Sequence, residues 1–153
     1  MATAAAFTSG AGGSGGVFRL LLRTTFLFLK TADRFLEGFG LSAVQYDALR
    51  TLLDEPELSQ VDLSRRLGVN RASITFLVDR LEKAGLVERT PVAGDRRARA
   101  LRVTAAGRSR LDRVEAPYRR LVRRWLAASP RGDLATLERV CQRLQESLQE
   151  EPG

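Results

Sequence analysis

SQVDLSRRLGVNRASITFLVDRLEKAG, from Ser59 to Gly85, decides the fold of this chain. Ser59 followed three residues later by Asp62 has the form of a capping box, which starts a short helix at Gln60 and carries it to about Leu67. Gly68 then supplies a turn, and Asn70 is a good N-cap for the next helix. In that helix Ile74, Leu77, Val78 and Leu81 recur at i, i+3, i+4 and i+7, so they form one buried face. Ala72, Phe76, Asp79 and Lys83 fall on the opposite face. Two short helices around a tight glycine turn, with small Ser64 allowing close approach, form the helix-turn-helix pattern. A plain helical hairpin has the same apolar spacing.

Charge separates these two readings. The 153 residues carry 23 Arg and 2 Lys against 18 acids, a formal +7. Residues 59–110 hold 12 Lys/Arg against 5 Asp/Glu, and the remainder holds 13 against 13, so the entire excess lies in one 52-residue stretch. A basic module in a neutral scaffold is the electrostatic footprint of nucleic-acid binding. Ser73 and Thr75 are small polar residues near the start of the second helix, where base edges would be reached.

Beyond Gly85, LVERT (86–90) and ALRVT (100–104) alternate as short strands do, joined by the basic loop PVAGDRRAR (91–99). Strand, basic loop and strand after a helix-turn-helix make a wing, which offers Arg96, Arg97 and Arg99 to the DNA backbone or minor groove.

The flanks are helical. Residues 17–39 are apolar on more than one face, through Phe18, Leu21, Leu22, Phe26, Leu29, Phe35 and Leu36. Ser42 caps a second helix that stops before Pro56. Leu111, Val114, Tyr118, Leu121 and Trp125 repeat at spacings of 3 and 4, as do Leu134, Leu137, Cys141, Leu144 and Leu148. Pro117 lies inside the first of these seams and should kink the helix without ending it. Such faces are either intrachain core or, as the preferred account, a homodimer interface built from both termini. The expected fold is mainly α with a small β-hairpin. Residues 1–16, rich in Gly, Ala and Ser, are expected to be a flexible tail, 17–40 and 104–149 a helical dimerisation region, and 41–103 a winged helix-turn-helix DNA-binding lobe.

Enzyme chemistry has little support. There is no histidine, Cys141 has no evident activating base, and the acids are scattered or paired with arginines at helical spacing. The Gly10, Gly12, Gly15 match to a dinucleotide fingerprint lacks its preceding strand and reads as chance. No cofactor or metal site is expected. The run LLLRTTFLFL (20–29) is too short to span a bilayer, no secretory signal is visible, and the expected location is cytoplasmic.

LSRRLGVNRASITFLVDRLEKAGLVER followed by GDRRARALRVTAAG resembles the multiple-antibiotic-resistance regulator (MarR) family of bacterial winged-helix repressors, across roughly residues 17–149. The resemblance implies a homodimer on a pseudo-palindromic double-stranded DNA site, usually repressing, and release by a small phenolic or lipophilic effector. Position by position, Asp95 and Arg97 match the family's wing motif, in which the acid orients the arginine entering the minor groove. Arg71, Ala72, Ser73 and Thr75 match the front of the recognition helix. Ser59, Gln60, Arg80 and Arg96 complete the candidate DNA contacts with Phe76 and Arg99. Phe76 is a departure, since the family commonly has arginine there; an aromatic suits a thymine methyl and cannot bond guanine or phosphate. The branch that senses peroxide uses a cysteine near the N-terminus, whereas Cys141 stands on an apolar seam as a buried, inert thiol would. A ligand pocket bordered by Phe26, Tyr46 and Trp125 is expected near the junction of dimer helices and DNA lobe, although the same aromatics read equally well as core. The rival function is an architectural or protein-binding winged helix without sequence preference.

Overall fold

The computed structural model describes residues 13–92 and 95–150, with side chains described for 13–91 and 99–148. The described residues form α1 (Ser14–Glu37), α2 (Ala43–Asp54), α3 (Gln60–Leu67), α4 (Arg71–Lys83), β1 (Val87–Val92), β2 (Asp95–Val103), α5 (Ala105–Leu126) and α6 (Arg131–Glu150). The architecture is mainly helical, with a single antiparallel hairpin among the described residues. Two compact units divide the chain, one ending at Glu115 and the other beginning at Ala116, so that α5 contributes to both.

In the first unit each helix start has a local cause. α1 begins at Ser14, so residues 14–16, expected in the tail, form its first turn; extended Gly13 offers its carbonyl to the amides of Gly16 and Val17 at 2.9 and 3.1 Å. Residues 1–12 lie outside the described set. At α2 the Ser42 hydroxyl accepts from the Gln45 amide at 3.2 Å, and the Gln45 side chain accepts from the Ser42 amide at 2.9 Å, a complete reciprocal box. Asp33 of α1 adds a bond from the Ala43 amide at 2.6 Å, which fastens α1 to the start of α2.

The core of this unit is aliphatic. Leu36, Leu49, Leu63, Ile74, Val78, Leu81, Leu101 and Val114 are among its fully buried side chains, each worth about 1.5–3 kcal/mol of burial. Leu111 and Val114 bring the first half of α5 into it. Gly107 permits that approach, because a Cβ there would lie 2.3 Å from the Leu86 carbonyl oxygen. The Thr104 hydroxyl accepts from the Gly107 amide at 3.0 Å and donates to the Gly85 carbonyl at 2.6 Å, so one residue caps α5 and ties it to the end of α4.

The hairpin corrects the sequence expectation. β2 begins at Asp95, so most of the stretch expected as a basic loop is strand. Pairing runs from Val87↔Val103 to Pro91↔Arg99, then shifts so that Val92 faces Asp95. Charged residues lack the apolar alternation that marks a half-buried strand, but in a two-stranded ribbon the backbone ladder continues without it. The residues before α3 extend the sheet further, with an isolated Ser59↔Ala100 bridge and the Leu101 amide donating to the Leu58 carbonyl at 2.8 Å.

The second unit contains the C-terminal part of α5 and α6. α5 continues through Pro117, as the seam required, and Tyr118 meets Trp125 edge-on at 6.4 Å between centroids. Cys141 on α6 is half-buried, more accessible than the inert core thiol expected.

Candidate nucleic-acid interface

The turn between α3 and α4 is fixed by its own residues. Gly68 takes a left-handed conformation at φ 62°, and the Ser64 hydroxyl donates across the turn to the Val69 carbonyl at 2.7 Å. Asn70 caps α4 by accepting the Ser73 amide at 2.8 Å. Because Ile74, Leu77, Val78 and Leu81 are buried, the rotation of α4 about its axis is set, and Arg71, Ala72, Ser73, Thr75, Phe76, Asp79 and Arg80 are all exposed.

These exposed residues are not equivalent. The Thr75 hydroxyl donates to the Arg71 carbonyl at 2.9 Å and accepts from the Gln60 amide group at 2.8 Å, so its one proton is committed within the protein. Its methyl and one acceptor lone pair are what remain for outside contact. Phe76 is 64% exposed, and the Arg80 guanidinium lies 5.5 Å from the centroid of its ring, within cation–π range. Ser59, also a candidate contact, uses its hydroxyl at the start of α3, accepting from the Asp62 amide at 3.1 Å and donating to the Asp62 carboxylate at 2.5 Å. That bond first, and the nearby Arg65 guanidinium after it, hold the Asp62 carboxyl below the usual carboxylate range.

Arg89 is the residue that the sequence reading missed. From β1 its guanidinium reaches Asp79 at 2.6 Å and also bonds Glu82, both on α4, with Gln60 of α3 at 3.4 Å. One strand residue thus holds the recognition helix and the preceding helix together while offsetting two carboxylates that would repel a polyanion. Its signal was parity: Arg89 is two residues from buried Val87 and shares its face of the strand.

On the hairpin, Arg99 is exposed and pairs in register with Pro91. Asp95, Arg96 and Arg97 belong to β2 by backbone, and their side chains lie outside the described residues. Phe26 is exposed on α1, Tyr46 on α2 donates to Glu115 at 2.9 Å, and Trp125 belongs to the second unit. Two open cavities of the first unit have other walls: one of about 560 Å³ includes Lys30, Arg34 and Glu37, and one of about 370 Å³ includes Val44, Ser73 and Phe76. Both are also lined by Ser42, Gln45 and Arg80. Among the described residues no group of three or more His, Cys, Asp or Glu is placed to hold a metal ion. No described helix is long and apolar enough to cross a membrane.

A helix-turn-helix with an outward second helix, followed by an antiparallel hairpin, both within the stretch that carries the charge excess, defines the winged-helix class of DNA-binding proteins. The chain belongs to the MarR family of transcriptional regulators, whose sequence profile matches residues 39–98. It is 32% identical over 101 residues to the HTH-type transcriptional regulator PecS of Dickeya dadantii, covering 64% of this chain and 61% of PecS. It is 31% identical over 114 residues to the transcriptional regulatory protein ascribed to the hcr operon of Thauera aromatica, covering 74% of this chain and 69% of that protein. The match to PecS therefore spans less than two thirds of that protein's length.

Solved structures agree. A MarR-family regulator from Rhodococcus sp. RHA1 superposes with a TM-score of 0.76 at 26% identity, over 86% of this chain and 94% of that one. CouR from Rhodococcus jostii RHA1, bound to p-coumaroyl-CoA, gives 0.77 at 26% identity, over 86% and 93%. MarR from E. coli complexed with operator DNA shares the fold, with a TM-score of 0.77 at 22% identity over 84% and 92%.

Proposed function

We propose that this regulator acts as a homodimeric repressor on a pseudo-palindromic operator, with α4 in the major groove and the hairpin over the adjacent minor groove. The observation that carries this reading is the two-sided construction of α4. Its apolar residues are buried, its outward residues are largely small, basic or aromatic, and Arg89 pairs with two of its outward acids and halves their negative charge. Arg96, Arg97 and Arg99 supply the wing contacts, with Asp95 orienting Arg97.

Dimerisation is supported by the surface of α1, where Val17, Phe18, Leu20, Phe26 and Leu27 are each more than half exposed. That much apolar surface on one helix marks an association face. Exposed Leu137, Leu144 and Leu148 give α6 the same character.

For the effector, an aromatic or lipophilic acid is the class that fits. Lys30, Arg34 and Arg80 outnumber Asp33 and Glu37 around the cavity of about 560 Å³ and leave one net cation for a carboxylate, and CouR, a structural neighbour, is bound to p-coumaroyl-CoA. Since both cavities reach Arg80 on α4, a ligand there bears directly on the DNA-reading helix. It releases DNA only if it binds the DNA-incompetent state more tightly.

Selection of duplexes from a random pool, followed by titration at two salt concentrations, tests the reading. A preferred inverted repeat is expected, bound by two chains. With about 6–10 phosphate contacts, affinity should fall about a thousandfold or more between roughly 50 and 200 mM salt. Binding without a preferred site would make the protein architectural, and a flat salt response would remove the groove-binding picture. Operator release screened against aromatic acids tests the effector, and no response to any of them would refute ligand control.

A further inference from the structure

We propose that Ala72, Thr75 and Phe76 form a reader of the thymine C5-methyl group, with Phe76 deciding which pyrimidine the outward face of α4 accepts. This inference rests on the operator-binding reading above and names the base feature that it recognises.

The three residues stand at i, i+3 and i+4, so they share one patch on the helix. They line an open groove of about 620 Å³ whose remaining walls are Arg71 and Asp79. No side-chain hydrogen-bond donor remains free within the patch. Ala72 has none, the Thr75 proton goes to the Arg71 carbonyl while Gln60 donates to its oxygen, and the Phe76 ring has no hydrogen-bonding group. What the patch presents is mainly apolar, two methyls and an exposed ring beside one remaining Thr75 lone pair. In the major groove, thymine alone among the four bases carries an exposed methyl, and apolar contact from Ala, a Thr methyl or Phe is how proteins meet it.

The ring is also held. Arg80, one turn further along α4, places its guanidinium against it, so the exposed aromatic has a bracing partner. The flanking cations Arg71 and Arg80, and the confinement of the +7 excess to residues 59–110, favour a polyanion over an apolar protein surface as the occupant.

The test uses the full chain and the duplexes selected from the random pool. Thymidines are replaced one at a time by deoxyuridine, which keeps pairing and removes only the methyl. Loss of a buried methyl is worth about a fourfold drop in affinity, expected at one or more thymines of the preferred site. Phe76→Ala should bind the thymine and uracil duplexes there equally, with an unchanged unfolding midpoint because the side chain is exposed. Thr75→Val, which keeps the methyl and loses the hydroxyl, should retain the thymine preference. Specific binding with no methyl-sensitive position, or full methyl sensitivity in Phe76→Ala, overturns the proposal and leaves the regulator reading intact. Loss of thymine preference in Thr75→Val would assign the reading to the hydroxyl and overturn it as well. Failure to select any duplex overturns both.

Discussion

Replacing Arg89 by Met keeps an unbranched apolar stem and removes the guanidinium and its charge. Asp79, Glu82 and Arg89 together carry one net negative charge in the native protein, and two in the variant. A unit charge about 10 Å from a phosphate interacts by about 0.4 kcal/mol in water. Facing three phosphates, the lost cation is worth about 1.2 kcal/mol unscreened, and screening reduces this to roughly 0.6 kcal/mol at 50 mM salt and 0.3 kcal/mol at 150 mM. DNA affinity should therefore fall about threefold at low salt and less than twofold at physiological salt. The native ion pairs are partly exposed, so their loss should cost folding stability no more than about 1–2 kcal/mol. Fluorescence anisotropy on a selected duplex at both salt concentrations, with thermal unfolding alongside, reads both effects. The decisive variant adds Asp79→Asn and Glu82→Gln. It restores no ion pair but removes both repelling charges, and should bind at least as tightly as the native protein. Were this triple variant as weak as Arg89→Met, Arg89 would act by holding α4 in place, and the charge argument would be wrong.

Three further outcomes follow from local geometry. Gly107→Ala places a Cβ against the Leu86 carbonyl and the Val103 side chain and should destabilise the fold by about 1–3 kcal/mol, whereas Gly132→Ala, with nothing within 4 Å, should be neutral or stabilising; calorimetry of the pair checks the contrast. Ser42→Ala removes half of the capping box of α2 and should cost about 1 kcal/mol in a denaturant titration, more than the same change at exposed Ser73, whose side chain does not cap. The Asp62 carboxyl is held below its usual value of 3.8 in the folded state, so its contribution is present above that pH and is lost as pH falls through the depressed folded value. Ser59→Ala should flatten the acid limb of the stability profile below about pH 4, and an unchanged limb would count against the Ser59–Asp62 bond.

Features written in a few adjacent residues were legible. Ser42, Ser59, Gly68 and Asn70 each cap or turn the chain where the sequence suggested, because a cap needs only its own side chain and an amide two or three residues on. The buried stripe of α4 was legible for the same reason, since 3.6-residue periodicity is local. The full length of β2 was not, because its first residues, 95–99, are largely charged and lack the apolar alternation that marks a strand in sequence. Nor was the Leu58–Leu101 bond, which joins positions more than forty residues apart. Arg89 was hidden by composition: one arginine among 23 looks like solvated charge until its strand face and its partners 7 and 10 residues away are known. Thr75 lies on the exposed face of α4, but only the positions of Gln60 and the Arg71 carbonyl show that its hydroxyl proton is engaged within the protein.

The anchoring of the hairpin has a consequence for how such a regulator changes its target. Leu101 to Leu58, Thr104 to Gly85 and Leu86, and Arg89 to α4 all grip the ribbon at the end nearest the helices. Substitutions between 92 and 98 leave those anchors untouched. Under the binding mode proposed above, a library randomised there, or a lineage drifting there, would explore new flanking sequences while α4 keeps its aim, and wing preference and core-site preference would be separately evolvable.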